Sequence, residues 1–186
     1  RLEQQRIQKI EIAMRDFKES TIETHHNVTI KSVPGCKILS LRKTVADYYC
    51  EGRLWEQLYA FVKEEQVKLR PGINNLAIYH NGGITEDGVD IEVGVMVERE
   101  GADKGGFCFR ETEPVEDMAC IMVYGPYENI GLSYHAFACW MEEHRQYEIA
   151  GPSRQICHIG SWDESDSQKF LTEVQTPVRR ILTLTP

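Results

Sequence analysis

"DIEVGVMV", residues 90–97, and "LTEVQTPV", residues 171–178, alternate polar and apolar side chains and carry a glutamate at the same place. Alternation sends successive side chains to opposite faces of a strand. Val89, Ile91, Val93, Val95 and Val97 therefore share a core-facing row, with Asp90, Glu92, Gly94 and Met96 behind them. In the second stretch Thr172, Val174, Thr176 and Val178 share a row, opposed by Leu171, Glu173 and Gln175. One charged strand met twice in a chain points to duplication.

The flanking segments repeat as well. "NVTIKSVP" and "CKILSLRKTV" read as strands joined at Pro34-Gly35, and "EGRLWEQLYAFVKEEQ" (51–66) presents Leu54, Leu58, Phe61 and Val62 on one helical face. "NLAIYHN" and "VDIEVGVMVER" complete a β-β-α-β-β order. After the Gly-rich link "EGADKGGF" comes the strand "MACIMVYG", then a helix, "PYENIGLSYHAFACWMEEH", opened by Pro126. "RQICHIG", the polar loop "SWDESDSQ" and the strand "KFLTEVQTPV" follow. Phe61 lines up with Trp140 (140 − 61 = 79) and Glu92 with Glu173 (173 − 92 = 81), so two residues of loop length separate the copies. The expected fold is a duplicated α+β domain.

With 186 residues, 41% of them hydrophobic, the chain can bury a sizeable core. Its formal charge of −8 repels phosphate, so DNA would be reached only through a separate basic domain N-terminal to this piece. No apolar run is long enough to span a membrane and the first twenty residues are unlike a signal peptide, which implies a cytoplasmic protein. The six cysteines form no C-x-x-C pair and read as reduced structural thiols. His25-His26 falls in a linker and the other histidines are scattered, so no metal or other cofactor is expected. There is no P-loop, dinucleotide fingerprint or G-x-S-x-G elbow, and Cys157 and His158 point to opposite faces of their strand. No catalytic residue is assigned.

Residues 1–19, "RLEQQRIQKIEIAMRDFKE", lack Gly and Pro and space Ile7, Ile10, Met14 and Phe17 as a coiled-coil seam. Residues 1–20 are expected to be the end of a dimerisation helix, the alternative being a helix packed back on its own domain, and residues 26–182 the folded domain.

The candidate site centres on Glu173. If its face of the strand lines a cleft between the halves, a carboxylate ringed by aromatic side chains would attract a lipophilic cation. If that face meets solvent, Glu173 is an ordinary surface acid. The rings considered are Tyr48, Tyr49, Trp55, Tyr127, Trp140, Tyr147 and Trp162, with Trp140 also a natural core residue of its helix. Glu92, beside Asp90 and "TEDG", is expected to be solvated.

The runs "VYGPYENIGLSYHAFACWMEEH", "AGPSRQICHIG" and "FLTEVQTPV", with the earlier strands and helix, resemble the GyrI-like effector-binding domain over about residues 26–179. That domain is the ligand-sensing part of many MerR-family and some AraC-family transcription regulators. The resemblance implies two β-α-β-β units related by a pseudo-twofold, with a drug or metabolite pocket between them, Glu173 facing cationic drug-like ligands and Tyr127 and Tyr147 near the wall. It also implies Tyr49 and Trp55 as further contacts, and a homodimer through a leading helix of the MerR type. Gln155 and Cys157 depart from the acid and tyrosine that many relatives carry on that strand. Two alternatives rank behind: a hydrolase pairing Glu173 with Tyr127 or Tyr147, and a haem protein of the related SOUL architecture, for which no axial ligand is evident. On the sensor reading the protein is no enzyme, and Glu173→Gln should weaken cation binding while leaving folding intact.

Overall fold

The computed structural model describes residues 27–72, 75–81 and 86–181. The dimerisation helix expected over residues 1–20 and the His25-His26 pair lie outside the described residues. The strands are β1 (Thr29–Val33), β2 (Lys37–Val45), β3 (Asn75–Tyr79), β4 (Val89–Met96), β5 (Phe107–Glu111), β6 (Val115–Tyr124), β7 (Tyr147–Ile149), β8 (Ser153–Ile159) and β9 (Leu171–Arg180). Helix α1 (Glu51–Glu64) precedes β3, and α2 (Ile130–Glu143) precedes β7. The strands form an antiparallel sheet in the order β1-β6-β9-β8-β3-β4-β2-β5, with β7 on the far end of β9.

The pairing register makes the duplication explicit. Glu92 faces Ile78 and Arg42, while Glu173 faces Ile156 and Met122. The copies are thus offset by 78 residues on the middle strands (156 − 78), by 80 on β2 and β6 (122 − 42) and by 81 on β4 and β9 (173 − 92). The pseudo-twofold passes between β3 and β8, where Ala77 pairs with Gln155. The two edge strands cross between halves: β1 pairs with β6, and β5 pairs with β2.

Strands β5 and β7 were not expected. The first starts at the last residue of the Gly-rich link and runs for five residues, and the second runs for only three, too short for a period-two pattern to register. The second helix also begins later than its sequence suggests. Pro126 precedes a 3-10 turn over Tyr127–Asn129, so α2 starts at Ile130. Helix α1 is likewise preceded by a 3-10 turn, capped by Asp47, whose carboxylate accepts from the Cys50 amide at 3.2 Å. It is followed by Gln66 in a left-handed conformation, φ 53°.

Both helices lie on one face of the sheet. Leu54, Leu58 and Phe61 of α1 bury against Leu39, Leu41, Val93 and Val95, the row expected from "DIEVGVMV". Phe137 of α2 packs in a second cluster with Ile121, Val123, Val174 and Val178. Since α1 packs on β2 and β4 and α2 on β6 and β9, the central strands β3 and β8 form the floor of a cleft between the helices. The opposite face has its own small cluster of Ile38, Leu76, Ile78 and Ile156.

Candidate functional site

Alternation along β9 puts Val174 under α2 and Glu173 on the helix-free face. There Glu173 is 0% exposed. It is ion-paired with Lys31 and accepts hydrogen bonds from His158 Nε2 at 2.7 Å and Gln175 Nε2 at 2.9 Å. Burial disfavours the Lys31 ammonium, but the neighbouring Glu173 carboxylate outweighs this and raises its pKa.

Glu92 is built the same way, and the expectation that it is solvated is corrected: it is 3% exposed. Arg110 holds it bidentately, with Nε and Nη2 each at 2.7 Å, and His80 Nε2 lies at 2.8 Å. Burial alone would raise the Glu92 pKa, but the hydrogen bonds from His80 and Arg110 prevail and hold it far below the usual carboxylate range. The cation comes from β5, the strand that the sequence pattern hid. His158 is the twin of His80 (158 − 80 = 78). Arg110 and Lys31 are twins too, because they pair with Ile38 and Met118, which differ by 118 − 38 = 80. Each half therefore carries a buried acid, a histidine at the end of its central strand and a cation from an edge strand.

The aromatic residues divide. Tyr48, Trp55, Tyr127 and Trp162 come to the cleft on the helix face, so the sheet separates them from Glu173. Tyr48 packs edge-on against Tyr79 with centroids 5.7 Å apart, and Trp162 lies 6.3 Å from Trp55. Tyr127 sits over Cys157, hydroxyl to sulfur 3.8 Å. The other three do not join them. Tyr49 is 96% exposed and faces solvent. Trp140 and Tyr147, centroids 5.4 Å apart, belong to the core under α2, and the Tyr147 hydroxyl accepts from Arg180 at 3.2 Å. The pairing of Glu173 with Tyr127 or Tyr147 is therefore not assembled.

In its place the cleft holds Glu51, at the first turn of α1. One carboxylate oxygen accepts from Trp55 Nε1 at 2.9 Å and the other from the Tyr79 hydroxyl at 2.8 Å. Among the described residues no cation pairs with it. Burial and the adjacent Glu51 carboxylate keep the Tyr79 phenol neutral, its pKa well above 10. Across the cleft, Tyr134 of α2 donates to or accepts from Ser153 Oγ at 3.2 Å and accepts from Gln155 at the same distance. Tyr59 donates to Asn75 at 2.5 Å on the floor. Burial pushes the Cys157 thiol up to about 11, so at neutral pH it is a poor nucleophile. The loop carrying Trp162 passes so close that a Cβ on Gly160 would lie 2.7 Å from the Cys157 sulfur and 2.9 Å from the Tyr127 hydroxyl.

Glu51, Tyr59, Tyr79 and Tyr134 were missed by sequence reasoning. A signal existed for one: the helical offset of 79 that matches Phe61 to Trp140 also matches Trp55 to Tyr134 (134 − 55 = 79). Glu51 gave none, because an acid in the first turn of a helix is what the macrodipole favours anyway.

The family model of the GyrI-like small molecule binding domain matches residues 26–179. The fold is similar to EcmrR in a complex with DNA, at TM-score 0.78 and 22% identity, covering 96% of this chain and 70% of that one. It is also similar to SAV2435 bound to tetraphenylphosphonium, at TM-score 0.56 and 13% identity, covering 82% of this chain and 94% of that one. A hydrolase from Listeria innocua is similar at TM-score 0.57 and 12% identity, covering 87% and 97%. No curated protein matches the sequence.

Proposed function

Because this chain belongs to the GyrI-like small molecule binding domain family, we propose that it is the ligand-sensing domain of a MerR-type transcription regulator, taking a lipophilic cation into the cleft between α1 and α2. The observation that carries the choice of ligand is Glu51: a carboxylate set among Trp55, Tyr79 and Tyr48, with no internal cation among the described residues. Rings supply apolar contact and an electronegative face, and the carboxylate supplies charge. Glu173 and Glu92 are already neutralised by their own cations and serve the fold. SAV2435, a structural neighbour, holds tetraphenylphosphonium, which makes that cation a suitable probe.

A ligand wedged between helices that each pack on a different half would change their spacing. The change becomes a signal only if one spacing binds better than the other. On this reading the protein is a cytoplasmic homodimer that contacts DNA through a domain N-terminal to this chain.

A hydrolase is the second reading, favoured by one contact: the Tyr79 hydroxyl donates to Glu51 at 2.8 Å, a tyrosine–carboxylate pair inside the cleft. Calorimetric titration of tetraphenylphosphonium into the chain and into Glu51→Gln tests the proposal. A half-buried carboxylate such as Glu51 near a monocation contributes roughly a tenfold change in Kd after screening. Equal affinities for the two proteins would refute Glu51 as the cation's partner. Turnover of an electrophilic ester or epoxide, lost in Glu51→Gln, would instead establish the hydrolase.

A further inference from the structure

Among the described residues, the buried charges on the helix-free face are paired with one exception. Arg42 pairs with Asp90 at 2.6 Å, Arg110 with Glu92, and Lys31 with Glu173. Arg154 pairs with no acid among the described residues, although it is only 8% exposed, and its Nε is buried without a hydrogen-bond partner. Native proteins rarely leave such a donor unsatisfied, so its retention calls for an explanation.

The duplication shows that the fold itself does not require a charge there. Arg154 sits on β8 between Gln175 of β9 and Ile78 of β3. Its twin in the first half is Leu76 (154 − 78 = 76), 2% exposed and part of the small apolar cluster with Ile78 and Ile156. One half thus fills this place with leucine and the other with an arginine. Burial disfavours the charged guanidinium and nearby Arg110 adds repulsion, only partly offset by Cys36 and the Glu92 carboxylate, yet arginine stays protonated at any physiological pH.

We infer that Arg154 anchors a second binding site, on the face away from the aromatic cleft, for a small carboxylate with an apolar body. A planar guanidinium matches a carboxylate bidentately, and Ile78 and Ile156 beside it offer apolar contact for the remainder of the ligand. Arg110, whose side chain is 36% exposed, marks where solvent reaches this face. The site takes the opposite charge from the cleft and does not depend on what the cleft binds.

Benzoate is the probe, with chloride at equal ionic strength as control. In the wild-type chain, titration should shift an arginine Nε–H resonance in nitrogen-edited spectra. At ten times its Kd, benzoate should raise Tm by roughly 3–6 °C. Arg154→Leu, which installs the residue of the twin, should fold and lose both responses, and Arg154→Lys should lose most of the Tm shift. An unmoved Nε resonance in the wild type, an equal effect from chloride, or an undiminished Tm shift in Arg154→Leu would each overturn the inference.

Discussion

Glu173→Gln keeps the shape of a side chain and removes its charge, and the structure assigns the consequence to stability rather than to ligand binding. The carboxylate is fully buried and receives Lys31, His158 and Gln175. Glutamine offers one acceptor oxygen in place of two and turns a donor toward groups that themselves donate. Breaking a buried ion pair from one side costs about 3–5 kcal/mol, less where the partner can reach water. The Lys31 side chain is 36% exposed, which lowers the expectation to about 2–4 kcal/mol. For a chain of this size that is roughly 5–15 °C in Tm. Urea melts followed by circular dichroism measure it, and Lys31→Met alone and combined with Glu173→Gln closes a cycle whose coupling should exceed about 1 kcal/mol. Affinity for tetraphenylphosphonium, measured well below the melting temperature, should stay near the parent value. A midpoint within about 0.5 kcal/mol of the parent would refute the reasoning, because surface substitutions commonly do no more than that.

Two further outcomes follow from the same geometry. Glu92 has a depressed folded-state pKa, so its contribution is full above the unfolded value of about 4.3 and is lost as pH falls through the lower folded value; Glu92→Gln should therefore show a flatter loss of stability below about pH 4, and an unchanged acid limb would contradict this. Of the three tryptophans, Trp55 and Trp162 border the cleft and Trp140 lies in the second core, so ligand-dependent fluorescence quenching should vanish in Trp55→Phe with Trp162→Phe and survive in Trp140→Phe.

The duplication was legible because period-two alternation and helical periodicity are local signals that both copies kept. The valine row of β4 sits in the core as read, and both helices present the expected apolar faces. The charge network was not legible. Alternation tells which residues share a face, but not that β5, a short strand just after the Gly-rich link, brings Arg110 over Glu92. The same limit misdirected the site: Glu173 was rightly placed opposite the apolar row, yet the rings gather on the other side of the sheet, where the helices stand. Which face carries the cleft is decided by helix packing, a long-range property. Glu51 was hidden for a simpler reason, since its partners Trp55 and Tyr79 are 4 and 28 residues away and only the second is informative.

The most direct test of the central claim is a crystal structure of the chain soaked with tetraphenylphosphonium. The phosphonium should lie between α1 and α2, its phenyl groups against Trp55, Tyr79 and Tyr134 and its charge within about 6 Å of the Glu51 carboxylate. Density on the helix-free face, with Lys31 or His158 displaced from Glu173, would contradict it.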